Sequence, residues 1–151
     1  MAASAAHAGA SGSDGKPELV LAFDPGRNLG AAWVGFDGRV ERQAILAAAD
    51  LERLVLPPRA LVLVGDGTGS ATVLERLRRR GVVPIVVDEA GSTLDARKLY
   101  FRDHPPRGLM RLLPPGMRAP PRPIDDYAAV AIALRWLASE GAGHAGATPG
   151  A

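Results

Sequence analysis

Carboxylates recur in this chain where regular elements should end. Asp24 closes the apolar run Leu19 to Phe23, Asp66 follows Ala60 to Gly65, Asp88 and Glu89 follow Val82 to Val87, and Asp125 and Asp126 open an apolar-faced helix. In an α/β sheet, ligands collect outside the carboxyl ends of the parallel strands. Acids brought there from separate elements repel one another unless a cation neutralises them. Oxygen donors suit Mg²⁺ or Mn²⁺, and a chain with no cysteine and three histidines offers little to zinc. Two such ions about 4 Å apart can activate water and stabilise the leaving oxygen in phosphodiester cleavage. Each acid also has a plainer explanation. Asp24 before Pro25-Gly26 and Asp66 before Gly67 are turn formers. Asp125 and Asp126 suit the positive end of a helix dipole, and Glu89 could be an exposed strand-end charge. Their coincidence is what points to a site.

Basic residues lie close by in sequence. Arg97, Lys98, Arg102, Arg107, Arg111, Arg118 and Arg122 are opposed only by Asp95 and Asp103, and Arg27 sits in the turn after Asp24. A phosphodiester substrate needs such cations for its backbone. Tyr100, Phe101 and His104 could stack on an unpaired base. Against this, aromatics at a helix end are more often core, and a histidine before proline is more often a surface loop residue. Arg76 to Arg80 could be a second phosphate patch, or simply a solvated helix face. Trp33 and Trp136 read as core or subunit contacts.

These groups must be positioned by one domain. The chain has 151 residues, is 47% apolar and 23% charged, and carries a formal charge of +2. That is a globular composition. The mild charge names no partner by itself. No apolar run approaches the roughly 20 residues that span a bilayer. Residues 1–17 and 141–151 are rich in Ala, Gly and Ser and are expected to be disordered tails around a folded domain at 18–140. The start of the chain lacks the pattern of a secretory signal, and a cytoplasmic location is expected.

The pattern predicts strands over Leu19–Phe23, Ala31–Phe36 and Arg39–Leu46, with Asp37-Gly38 forming a type I′ hairpin turn. A short helix capped by Asp50 runs to Val55, where Pro57 and Pro58 end it. A strand at Ala60–Gly65 precedes a helix at Thr68–Arg80, closed by Gly81. A fifth strand spans Val82–Val87. Ser92 and Asp95 form a capping box for a helix to about Tyr100. A Pro- and Arg-rich loop covers 102–123, and a last helix runs from Ile124 to about Ser139. Helical crossovers make the later strands parallel to the first. The expected fold is α/β, with β1-β2-β3 antiparallel and β1-β4-β5 parallel in one mixed five-stranded sheet. This is the strand order of the ribonuclease H-like architecture.

Three motifs, in order, resemble one family. Phe23-Asp24-Pro25-Gly26-Arg27-Asn28-Leu29-Gly30 resembles the D-P-G strand end that opens RuvC and YqgF nucleases. Asp88-Glu89-Ala90-Gly91-Ser92-Thr93-Leu94-Asp95-Ala96 resembles the YqgF signature D-E-R-x-[ST]-T-x-x-A. Asp126-Tyr127-Ala128-Ala129-Val130-Ala131-Ile132 resembles the D-x-x-A-A-x-x-I helix near the end of both groups. The similarity covers about Leu19 to Leu137. It implies Asp24, Glu89 and Asp126 as catalytic, metal-binding residues, with Asp66 and Asp125 as further acids. It implies Mg²⁺ or Mn²⁺ as cofactor, and Holliday-junction resolution or ribosomal-RNA processing as the activity. It leaves room for a homodimer, because a resolvase must cut two strands symmetrically. The chain departs from the pattern in places. Ala90 stands where YqgF proteins carry Arg, and Asp66 where they carry an apolar residue. Pro123 occupies the first of two acidic positions that RuvC spaces i, i+3, so the YqgF pattern fits better.

Two other classes compete. A non-catalytic nucleic-acid-binding domain would keep the fold and show salt-dependent affinity without cleavage. An actin-like phosphotransferase shares a glycine-rich acidic opening but generally needs two such domains, for which this chain is short.

Overall fold

The computed structural model describes residues 15–146. Strands β1 (Leu19–Asp24), β2 (Leu29–Gly35) and β3 (Val40–Leu46) are followed by β4 (Ala60–Gly65), helix α1 (Ser70–Arg79), β5 (Ile85–Val87), helix α2 (Ser92–Asp103) and helix α3 (Asp125–Gly146). The five strands form one mixed sheet in the order β3-β2-β1-β4-β5. β1–β2 and β2–β3 are antiparallel, whereas β1–β4 and β4–β5 are parallel. This is the α/β class and the strand pairing expected from the sequence.

Strand periodicity accounts for the layers. Alternate residues of a strand point to opposite faces. Leu19, Leu21 and Phe23 therefore join Ala31, Trp33, Val62 and Val64 on one face, covered by Val73 and Leu77 of α1 and by Leu51. Val20, Ala22, Ala32, Val34 and Leu63 line the other face, under Ala129, Val130, Ile132 and Ala133 of α3. Helix α2 packs outside α3 through Ala96, Tyr100, Tyr127 and Ala128. The first turns of α3 are thus buried from two sides, and alanine keeps the layers close.

Several local expectations need correction. The hairpin after β2 is not type I′, since Gly38 (φ 84°) takes a positive φ and Asp37 does not. Gly38 N–H bonds Gly35 O at 2.9 Å and Gly35 N–H bonds Arg39 O at 2.8 Å, the pattern of a type I turn closed by a glycine bulge. The segment with Asp50 is a 3-10 turn, Ala48–Glu52, that stops short of Val55. β5 begins only at Ile85, because Pro84 has no N–H to give the ladder. Ser92 and Asp95 form no capping box. Gly91, with φ 81°, precedes the helix, Ser92 is buried, and Asp95 pairs with Arg135. The loop after α2 holds two short 3-10 turns, Gly108–Leu112 and Pro115–Met117. Helix α3 continues to Gly146, into the segment expected to be a tail. Residues 1–14 and 147–151, where the rest of the expected tails fall, lie outside the described residues. Among the described residues no helix is long and apolar enough to cross a membrane.

Candidate active site

Parallel pairing brings the carboxyl ends of β1, β4 and β5 to one edge of the sheet. Asp24 ends β1 there. Glu89 follows β5 by two residues and lays its carboxylate over the backbone of Gly65 and Gly67. A Cβ built on Gly65 would stand 2.8 Å from Glu89 Oε2, and one on Gly67 would collide with the Glu89 carboxylate. These two glycines are therefore a bed for Glu89. Asp66 Oδ1 accepts the Glu89 backbone N–H at 3.1 Å, so Asp66 fixes the stem of Glu89 and is itself exposed. Asp88 Oδ1 accepts the Ala90 N–H at 2.8 Å, and Arg135 reaches from α3 to the Ala90 carbonyl.

The N-terminus of α3 completes the edge. Asp125 accepts a hydrogen bond from Asn28 Nδ2 at 3.4 Å. The helix enters this close to β2 because position 30 is glycine, where any Cβ would overlap the Asp125 backbone carbonyl.

Burial pushes the Asp24 carboxyl up to about 7, assisted by a hydrogen-bonding contact with Glu89 and by the charges of Glu89 and Asp125. Near neutral pH a proton on Asp24 can bridge it to Glu89. Apart from that proton, no protein donor meets the buried Glu89 Oε2. A buried carboxylate oxygen is costly unless a proton, a donor or a cation meets it.

Asp126, the third acid that the family resemblance implied, lies elsewhere. Successive residues of a helix turn by about 100°, and Asp126 meets partners of its own, none of them Asp24 or Glu89. Gln43 Nε2 donates to it at 2.8 Å, and Arg122 Nη1 and Nη2 donate at 3.1 and 3.3 Å. Burial pushes the Asp126 carboxyl up, but Arg122 and Gln43 outweigh it and hold the group below its usual range. The acid that joins Asp24 and Glu89 is Asp125. The helix motif contained the signal. Counted back from Ala128-Ala129 and Ile132, D-x-x-A-A-x-x-I starts at Asp125.

The expected cations divide in the same way. Arg122 is committed to Asp126 and lies 5.5 Å from the ring centroids of both Tyr100 and Tyr127, so it is not a free phosphate ligand. Arg118 donates to the carbonyls of Leu113 and Arg111 and holds the loop together. Arg102 is exposed, 3.4 Å from Asp103. Arg27, Arg97, Lys98, Arg107 and Arg111 form no ion pair among the described residues. Tyr100 is core, and His104 is exposed at the end of α2. Asn28, Gln43 and Arg135 were not singled out in the sequence, because an amide or guanidinium serving a distant carboxylate leaves no local pattern.

Among the described residues, no three His, Cys, Asp or Glu side chains are grouped so that they could hold a metal ion. Mg²⁺ does not require such a group, since it is usually held by one or two carboxylates, waters and substrate phosphates. The Asp24–Glu89 pair, with an unsatisfied buried oxygen and a third acid beside it, suits that mode. The chain matches no known protein-family model, and no curated protein is significantly similar to it.

Proposed function

We propose that this protein is a divalent-metal-dependent endonuclease of the ribonuclease H-like, YqgF/RuvC type, cutting phosphodiester bonds in branched DNA or structured RNA. The observation that carries the reading is the crowding of Asp24, Glu89 and Asp125, from three separate elements, with one buried Glu89 oxygen left without a donor other than an Asp24 proton. A fold does not accumulate like charges at one edge for stability, because each raises the cost of ionising the next. The sheet order β3-β2-β1-β4-β5 supports the fold assignment.

Asp24 and Glu89 would hold Mg²⁺ or Mn²⁺, with Asp125 adding charge and a further oxygen. A bound divalent ion neutralises the scissile phosphate and supplies a water of lowered pKa. The chain's own residues do the rest. Asp66 fixes the backbone of Glu89, Gly65 and Gly67 leave room for its carboxylate, and Asn28 orients Asp125. Asp24 releases its proton when cationic charge replaces it. Arg27, Arg97 and Lys98 are free to meet the flanking phosphates.

A non-catalytic binding domain is the second reading, favoured by Ala90 in the place of a signature arginine and by the absence, among the described residues, of three acids or histidines grouped to hold a metal ion. The two separate in one assay. Purified protein and Asp24→Asn are incubated with a labelled four-way DNA junction, a linear duplex and a structured RNA, in Mg²⁺, Mn²⁺ or chelator. The nuclease reading expects metal-dependent cutting that the variant lacks. Salt-sensitive binding with no cutting under any condition would replace it with the binding domain.

A further inference from the structure

At the C-terminal end of α2, that helix and the loop after it border an open cleft of about 370 Å³, lined among others by Phe101, Asp103, His104, Arg107, Met110 and Pro121. Its size is at the small end of ligand pockets, which run from about 300 to 1,000 Å³. Its back is rigid. His104 stacks on Tyr100 with ring centroids 4.6 Å apart and planes 19° apart, and Tyr100 meets Phe101 and Tyr127 edge-on at 5.2 and 5.5 Å. The Tyr127 hydroxyl donates to Asp103 at 3.0 Å, which ties α3 to the end of α2.

The imidazole is held in one orientation. Its Nδ1 lies 3.3 Å from the Tyr100 carbonyl. A carbonyl only accepts, so Nδ1 carries the hydrogen, and in the neutral ring Nε2 is left as an acceptor. The ring is exposed on its outer side, because Tyr100 covers only one face.

From this geometry we infer that the cleft receives one unpaired base of a nucleic-acid strand, stacked on His104, with Arg107 on the adjoining phosphate. Charge selects the occupant. Of the cations between residues 97 and 122, Arg97, Lys98, Arg107 and Arg111 form no ion pair among the described residues, Arg107 borders the cleft, and the one carboxylate of that stretch, Asp103, also lines it but is engaged by Tyr127 and Arg102. A flat ring on a fixed aromatic, with cations around it, is how proteins hold single-stranded nucleic acid. Position selects the consequence. Asp125 and Tyr127 share the first turn of α3, one belonging to the acidic edge and the other to the aromatic wall behind the cleft. A base seated here holds its strand beside the candidate metal site, so substrates with an unpaired nucleotide are preferred over perfect duplex. The inference rests on the nuclease reading for its substrate class, but its test needs no cleavage.

The test is binding in chelator. Two DNA duplexes are used, one perfect and one carrying a single bulged 2-aminopurine. Wild type, Asp24→Asn, His104→Ala, His104→Phe and Arg107→Ala are compared. Wild type and Asp24→Asn are expected to bind the bulged duplex about tenfold more tightly, within the range that stacking one base supplies, and to change the 2-aminopurine fluorescence. His104→Ala should lose both the preference and the fluorescence change, and His104→Phe should keep them. Arg107→Ala should weaken binding of the bulged duplex. Equal affinity of wild type for the two duplexes, or a preference that survives His104→Ala, overturns the inference. Because Asp24→Asn removes cutting and not the cleft, selective binding without cleavage in wild type would count against the nuclease alone. Cleavage indifferent to His104 would count against the cleft alone.

Discussion

Asp125 and Asp126 are chain neighbours in the first turn of α3, yet the molecule treats their charges in opposite ways. Asp126 is buried and fully compensated, with a guanidinium and an amide donating to it and two tyrosine rings packed against that guanidinium. Asp125 has one long hydrogen bond, from Asn28, and stands beside Asp24 and Glu89, where charge accumulates. Compensation marks a group that holds the fold together. Its absence, at an edge with a buried Glu89 oxygen that no side chain or backbone group meets apart from an Asp24 proton, is the feature on which the proposed metal site rests. The comparison teaches that burial alone does not mark a candidate functional acid, since the more buried of the two aspartates is the one whose charge is compensated.

The comparison can be broken most forcefully at Arg122. Arg122→Ala leaves the buried Asp126 with Gln43 as its one side-chain donor; because the Arg122 side chain is itself 41% exposed, the loss should be about 1 to 2 kcal/mol, less than for a fully buried pair. Urea unfolding should show that loss, whereas Asp125→Asn should show little or none. Equal losses would mean that the two aspartates do not differ as described.

Gly67→Ala acts on the other region. The new methyl displaces the Glu89 carboxylate, a movable side chain, and leaves the sheet in place. Metal-dependent cleavage should fall about tenfold or more, the scale of misplacing a reacting group by about 1 Å, with the melting temperature nearly unchanged. Gly30→Ala is its contrast, because there the collision is with the backbone of α3 and the fold itself should weaken.

Stability against pH gives a smaller effect with a definite sign. Asp24 is raised from 3.8 to about 7, so between those values the folded chain holds a proton that the unfolded chain has released. The associated stability is fully present below the lower value and is lost as pH rises through the upper one. Asp24→Asn should therefore raise the melting temperature relative to wild type at pH 8 by a few degrees, and should change it much less at pH 4. Saturating Mg²⁺ should give wild type the same protection at pH 8 without helping the variant. The smallest effect belongs to the free cations. Lys98→Ala should lower the salt dependence of nucleic-acid affinity by about one unit of slope, without altering metal binding.

Much of this architecture was legible in the chain. Continuous apolar runs such as Leu19 to Phe23 mark strands buried on both faces, and the helices between later strands force parallel pairing. Three kinds of feature were not. Turn chemistry misled where glycine alone carried the positive φ, at Gly38, and where Gly91 preceded α2 in place of a side-chain cap. Pro84 shortened β5 because hydrogen-bond supply, not hydropathy, sets where a ladder starts. In the site, Asp24 and Glu89 could be placed from strand ends. Between Asp125 and Asp126 the helix motif and the four-residue spacing of Arg122 from Asp126 held part of the answer, whereas the partners Asn28 and Gln43, 97 and 83 residues away, left no local pattern. The cations were over-counted for the same reason, since a basic composition does not say which guanidinium is already spent.

The measurement that tests the central claim most directly is cleavage of a labelled four-way junction and a structured RNA in Mn²⁺, comparing wild type, Asp125→Asn and Asp126→Asn below the melting temperature of all three. The account predicts that Asp125→Asn loses cutting by about a hundredfold or more, as removing a group from a charge-stabilising site does, while Asp126→Asn is less stable but still cuts. An inactive Asp126→Asn of unchanged stability, beside an active Asp125→Asn, would contradict it.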